Sequence, residues 1–176
     1  MEWAKVLFIA FAAAGSIQFF FFVPIVVDGE SMMPMLKNGD RMIAIKIGYL
    51  VGEPDRLDIV VFHVSENKDY IKRVIGISGD QIVYENDKLY INGEIQDEPY
   101  LTSLKAIQET GISLTEDFSL EELTEVQVIP EGHVFVLGDN RRNSTDSRII
   151  GLVPIDSIVG STKYVFWPYS DIGIVE

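Results

Sequence analysis

From Val6 to Val27 the chain carries no charged side chain. As a helix those 22 residues would span roughly 33 Å at ~1.5 Å per residue, enough to cross the hydrocarbon core of a bilayer. This stretch constrains the fold most, because a retained span confines everything after it to one side of a membrane. Two other readings stay open. One is a cleaved secretory signal, for which AAAG at 12–15 supplies small residues at a suitable distance. The other is a buried core helix, which such a run suits less well because it has no polar face to alternate with. The apolar residues continue through IQFFFFVPIVV, well past the possible cut, which favours a retained anchor. Lys5 precedes the stretch and Lys37, Arg41 and Lys46 follow it, so charge alone does not orient it.

The remaining residues of the 176 suffice for one ordinary domain. The formal net charge of −13 argues against nucleic acid as a partner, since phosphate binding needs clustered Lys and Arg. With no cysteine there is no thiol nucleophile, disulfide framework or thiolate-held zinc.

Downstream of the anchor, short runs rich in β-branched and aromatic residues alternate with turn residues. RMIAIKI (41–47), LDIVVFHV (57–64), YIKRVIGI (70–77), QIVY (81–84), KLYING (88–93), HVFVLG (133–138) and STKYVFW (161–167) read as strands. NGD (38–40), SGD (78–80), END (85–87), NG (92–93) and GDN (138–140) read as the turns between them. The expected fold is mainly β and antiparallel. Between about 100 and 128 the texture turns polar and acidic, which suggests a surface insertion with a solvated face. Within it Ser119 is followed by Glu122, the spacing of a capped helical turn.

The side chains available for chemistry are few. His63 and His133 both fall in strand-like runs, so neither is a good general base. No HExxH, paired histidines or Gly-rich phosphate loop occurs, and no metal or other cofactor is expected. Three features remain. Ser31 sits in GESMMPML (29–36), a few residues after the apolar stretch. Lys72 sits in an apolar strand, where alternation groups it with Tyr70 and Val74 and places Ile71, Arg73 and Ile75 on the opposite face. A lysine with an ordinary pKa is neutral in about one molecule in several thousand at pH 7, so it becomes a base only if burial lowers that pKa. A snorkelling strand lysine is the plainer reading of this residue taken alone. GDNRRNSTDSR (138–148) gathers three hydroxyls, several charges and an amide-rich turn after HVFVL; it reads either as a solvated turn or as a polar cluster that orders a site.

Taken together these blocks resemble the type I signal peptidases, membrane-bound serine proteases that remove signal peptides. The anchor, VDGESMMPML, LDIVVF, YIKRVIGISGD, GDNRRNSTDSR and a GLVP and FWP close occur in family order over nearly the whole chain. The resemblance implies Ser31 as nucleophile, Lys72 as general base, and Ser144 as a hydrogen-bond partner that orients the amine. It implies Asp146 and Arg148 as a supporting ion pair and Met32 as a residue that positions the nucleophilic turn; Arg73, Asp139, Asn140 and Arg141 look structural. It further implies a short cytoplasmic end (1–5), an anchor (6–27) and an extracytoplasmic catalytic domain (28–176) with a non-catalytic insertion about 81–128. Shallow pockets that prefer small residues before the cut follow from it as well. The implied partners are the signal peptides of secreted preproteins, membrane lipid and the export machinery, at the cell membrane. Lysine at 72 looks like the bacterial branch, and the short leading end like its Gram-positive type. Gly29 departs from members that place a serine there as second oxyanion donor, and Met35 and Leu57 stand where threonine and glycine are common. The alternative reading is a catalytically silent, membrane-anchored binding module of the same fold.

Overall fold

The computed structural model describes residues 3, 5–8, 11, 22–46, 52–66, 68–108 and 112–175. Residues 3, 5–8 and 11 are helical. No helix among the described residues is long and apolar enough to cross a membrane, and most of the expected anchor lies outside the described residues. Its final residues are a correction: Phe22–Val26 is a strand, β1, antiparallel to β2 (Arg41–Ile45) with Phe22 opposite Ile45 and Val26 opposite Arg41. Val27 closes the connection, donating its amide to Asp40 O and accepting from Gly39 N. The reason is that β2 offers an open edge, and Val, Ile and Phe suit a strand as well as an apolar helix.

The remaining strands of the large sheet are β3 (Ile59–Ser65), β4 (Lys68–Gly76), β9 (His133–Leu137), β10 (Val153–Pro154), β11 (Ile158–Thr162), β12 (Tyr164–Trp167) and β13 (Gly173–Ile174). Its order is β10-β9-β4-β3-β11-β2-β12-β13 with β1 on β2, and every pairing is antiparallel. The run 161–167 is two strands: β11 pairs with β3 and, at Ser161, with the end of β2, and past Lys163 the chain continues as β12 against β2 and β13.

A second, four-stranded sheet lies between β4 and β9 in the chain: β5 (Ile82–Glu85), β6 (Lys88–Ile91), β7 (Glu94–Gln96) and β8 (Phe118–Ser119), in order β7-β6-β5-β8. Its hairpins turn on Asn86-Asp87 and Asn92-Gly93, each pair in the left-handed region that two-residue hairpins demand and that these residue types tolerate. Helix α1 (Thr102–Ala106) precedes β8 and α2 (Leu120–Thr124) follows it. At α2 the expected capping box is formed: Ser119 Oγ accepts from Glu122 N, and the Glu122 carboxylate accepts from Ser119 N. The 100–128 segment is not simply a solvated face. Tyr100, Leu101, Thr115, Phe118 and Leu120 are buried, and four of these five belong to a core that spans both sheets.

Alternation along β4 and β9 explains how one large sheet serves two cores. Val74, Val134 and Val136 face a core shared with Val60 and Phe62, while Ile75, Phe135 and Leu137 face the small sheet. Phe135, fully buried, sits 5.9 Å from Phe118 between ring centroids and so joins the two sheets. Phe135→Ala is expected to lower unfolding free energy by about 3–5 kcal/mol, read from the denaturant midpoint at unchanged slope, because the cavity opens where neither sheet can collapse into it.

Candidate active site

The turn that carries Ser31 is fastened at both ends. Ahead of it, Gly29 adopts φ +103°, a conformation open to glycine, and donates its amide to Asn38 Oδ1 at 3.0 Å. Behind it, Met33 N donates to Glu30 O and Leu36 N to Met32 O. Met32 is buried with Leu36, Met42, Ile59 and Val165, so its side chain pins the turn to the sheet. Ser31 itself stays half-exposed above this anchor.

Lys72 reaches the turn from β4. Its Nζ lies 2.7 Å from Ser31 Oγ and donates to Ile71 O at 2.9 Å. As alternation requires, it shares a face with Tyr70, whose ring centroid is 4.9 Å from Nζ. Lys72 is only 3% exposed. Burial lowers its pKa to about 8, and the negative charges of Asp146 and Asp139 oppose that shift without cancelling it. The difference from the ordinary 10.5 corresponds to about 3 kcal/mol favouring the neutral amine, and at pH 7 about one molecule in ten is neutral.

The 138–148 loop closes the site from the third side. Gly138 permits the approach: a Cβ there would stand 2.5 Å from Ser31 O and 2.2 Å from Ser144 Oγ. Asn140 holds the turn twice, its amide donating to Ser31 O at 3.0 Å and its Nδ2 to Glu30 O at 3.1 Å. Asp146 caps helix α3 (Ser147–Ile150), accepts from Gly138 N at 3.0 Å and takes a two-point ion pair from Arg148 at 2.8 Å. Burial alone would raise the Asp146 carboxyl pKa; Arg148 and the Gly138 amide hold it below the usual range. Arg73 and Asp139 form a buried two-point pair at 2.9 and 2.8 Å, and Arg73 Nη1 also donates to Leu57 O. Leu57 has φ +73°, the left-handed region in which glycine is the unstrained residue.

Ser144 corrects the expectation for its neighbour. Its hydroxyl is buried beside Gly138 and, among the described residues, has no hydrogen bond to Lys72. Lys72 is held by the Ile71 carbonyl instead. Gly138 and Asn140 were legible only as turn residues. Their contacts with the Ser31 turn needed the fold, although a glycine at the end of an apolar strand is a known mark of close backbone approach.

A cleft of about 520 Å³ opens over these groups, lined by Ile25–Met32, Lys68–Lys72 and Arg142–Thr145. β1 and β4 thus face each other although four pairings separate them in the sheet, so the sheet curls back upon itself. Among the described residues β1 pairs only with β2, and the 68–72 half of β4 pairs only with β3, which leaves two strand edges toward the cleft.

A model of the family described as signal peptidase, peptidase S26, matches residues 1–167. The chain belongs to that family. It is 47% identical to signal peptidase I of Bacillus caldolyticus over 162 residues, covering 92% of this chain and 88% of that protein. It is 44% identical to signal peptidase IB of Staphylococcus aureus over 176 residues, covering 97% and 91% respectively. Among solved structures, signal peptidase I from Enterococcus faecalis V583 is similar with a TM-score of 0.59 at 42% identity, over 63% of this chain and 97% of that one. Membership of peptidase S26 makes the chain a serine endopeptidase.

Two outcomes follow for the enzyme. With Lys72 as the expected base, only its uncharged amine accepts a proton, and kcat/KM should rise about tenfold per pH unit below pH 8 and level off above it in a pH-rate profile. Gly138→Ala should cut kcat at least about tenfold, since the added methyl must displace the Ser31 carbonyl or the Ser144 side chain and so misplace the turn that carries Ser31, the expected nucleophile.

Proposed function

We propose that this chain is a signal peptidase I: it cuts signal peptides from exported preproteins, with Ser31 as nucleophile and Lys72 as general base. The observation that carries this assignment of roles is the 2.7 Å contact between a dehydrated amine and a half-exposed hydroxyl at the floor of an open-edged cleft. Family membership supplies the reaction class.

The chemistry follows from the geometry. Neutral Lys72 takes the Ser31 proton as Oγ attacks the scissile carbonyl carbon; the C–N bond then breaks, the amine leaves with that proton, and an acyl-enzyme remains. Lys72, neutral again, next takes a proton from water as the water oxygen attacks the ester carbon; the C–Oγ bond then breaks, and Lys72 returns that proton to Ser31 Oγ, which leaves as the hydroxyl. Asp146, with Arg148, fixes the loop whose backbone braces the turn, and Met32 fixes the turn from below. Ser144 packs against Gly138 on the same loop. The Ser31 amide is one donor to the oxyanion. The Gly29 amide is already committed to Asn38, so the second donor is another group. An extended substrate segment finds backbone partners on the free edges of β1 and β4, the mode of strand addition.

The uncharged residues ahead of β1 are the membrane anchor in this reading, with Lys5 at their inner end and the sheet on the extracytoplasmic side. The stretch that remains, 6–21, is short for a span, which snorkelling of Lys5 and thinning of the bilayer accommodate. Exposed Phe22, Val26 and Met33 beside the cleft, and exposed Tyr164, Trp167 and Ile174 on the strands beyond β2, support contact of this face with lipid. A signal peptide leaving the export machinery at the same membrane would meet the cleft at high effective concentration. Ser31→Ala should reduce cleavage of a membrane-inserted preprotein by at least about 1,000-fold while leaving the melting temperature within a few degrees. Processing at the parent rate would rule out Ser31 as nucleophile.

A further inference from the structure

The small sheet contributes a buried charge that the reaction does not use. Glu98, whose side chain is 1% exposed, sits just before Pro99–Leu101, a turn of 3₁₀ helix. Its carboxylate accepts from Tyr84 Oη at 2.6 Å, Tyr100 Oη at 3.0 Å, Lys105 Nζ at 3.3 Å and Arg141 Nη2. Arg141 is equally buried. It donates from Nη1 to Thr115 Oγ1 at 3.2 Å, from Nη2 to Tyr100 Oη at 3.1 Å, and from Nε to Gly138 O at 3.1 Å. One planar guanidinium therefore grips the insertion with two nitrogens and the catalytic loop with the third.

The other side of that loop is the floor of the nucleophilic turn. Gly138 lies against Ser31 O, and Asn140 bonds to both Glu30 O and Ser31 O. The Arg73–Asp139 pair braces the same loop, with the Arg73 guanidinium 4.0 Å above the Tyr100 ring. A continuous run of bonds thus leads from Glu98 through Arg141 and the 138–140 backbone to Ser31. Stability is a poor reason for such a cluster, because apolar residues of equal volume replace buried ion pairs at little or no cost. A rigid five-donor fork does fix the orientation of the backbone it holds.

We propose that Glu98 is a positioning residue for the peptidase reaction: through Arg141 it sets the 138–140 backbone against the Ser31 turn, so the insertion is part of the catalytic apparatus. The inference rests on the signal peptidase reading for its rate effect, but not for its structural effect. Asn140 is the reporter, because its amide bonds directly to Ser31 O.

The test compares Glu98→Gln, which keeps the side-chain volume but removes the charge facing Arg141, with Ile91→Ala. The second opens a cavity in the same small sheet and removes none of the Arg141 partners. Full-length chain is assayed on a signal-peptide substrate well below both melting temperatures, and amide exchange is followed at Asn140 and Met33. Glu98→Gln is expected to lower kcat at least tenfold with KM within twofold, and to speed Asn140 exchange at least tenfold. Glu98→Asp should recover part of the lost kcat, and Ile91→Ala should change neither quantity. If Glu98→Gln does not fold, Tyr100→Phe, which removes the hydroxyl between Glu98 and Arg141, should show the same pattern at smaller amplitude. Parent-like kcat and Asn140 exchange in Glu98→Gln, or equal losses in Ile91→Ala, would overturn the proposal. Should the parent chain fail to cut the peptide, the signal peptidase reading falls and Asn140 exchange alone decides: faster exchange supports positioning, unchanged exchange refutes it.

Discussion

The proposed chemistry depends on keeping one amine dry. A lysine in water is a cation and useless as a base; in the proposed mechanism the Lys72 amine beside Ser31 is neutral often enough to act because β3, β4 and the turn above it exclude solvent. The fold bears a cost of about 3 kcal/mol for withdrawing that group from water, an appreciable part of the net stability of a domain. The surrounding apolar clusters offset it. Met32 and Leu36 beneath the turn, and Val60, Phe62 and Val74 along the strands, supply the burial.

Two carboxylates define how far this can go. Asp146 and Asp139 both favour a charged Lys72, yet each is neutralised by its own arginine, Arg148 and Arg73. Were either arginine absent, the unpaired carboxylate would pull the amine back toward its charged form. The loop between 138 and 148 therefore braces the Ser31 turn through backbone contacts, and with Arg73 and Arg148 its negative charges are paired rather than left facing the proposed base. Glu98 and Arg141 extend that arrangement into the small sheet, where charge is again paired and buried.

Much of this was legible in the residues. Asn-Asp and Asn-Gly marked the hairpins of the small sheet because few residues tolerate the backbone those turns need. Ser119 and Glu122 announced the cap of α2, and alternation in YIKRVIG put Lys72 beside Tyr70. What was not legible shares one cause. The run Phe22–Val26 satisfies both an apolar helix and a strand, and only the free edge of β2 decides between them. Likewise the break at Lys163 depends on which neighbours each half of 161–167 meets, β3 together with the end of β2 for one and β2 with β13 for the other. Ser144, expected to orient the amine, instead occupies the gap beside Gly138, a matter of loop packing that no local pattern encodes.

By itself the sequence determined which residue types were present, where the chain turns and which side chains alternate across each strand, because these depend on neighbours within a few residues. Tertiary structure alone decided that Lys72 meets a serine 41 residues away, that its pKa drops, and that Glu98 grips the loop beneath that serine. Those outcomes require strands distant in the chain to exclude water together, and desolvation is a property of the assembled surroundings rather than of any segment.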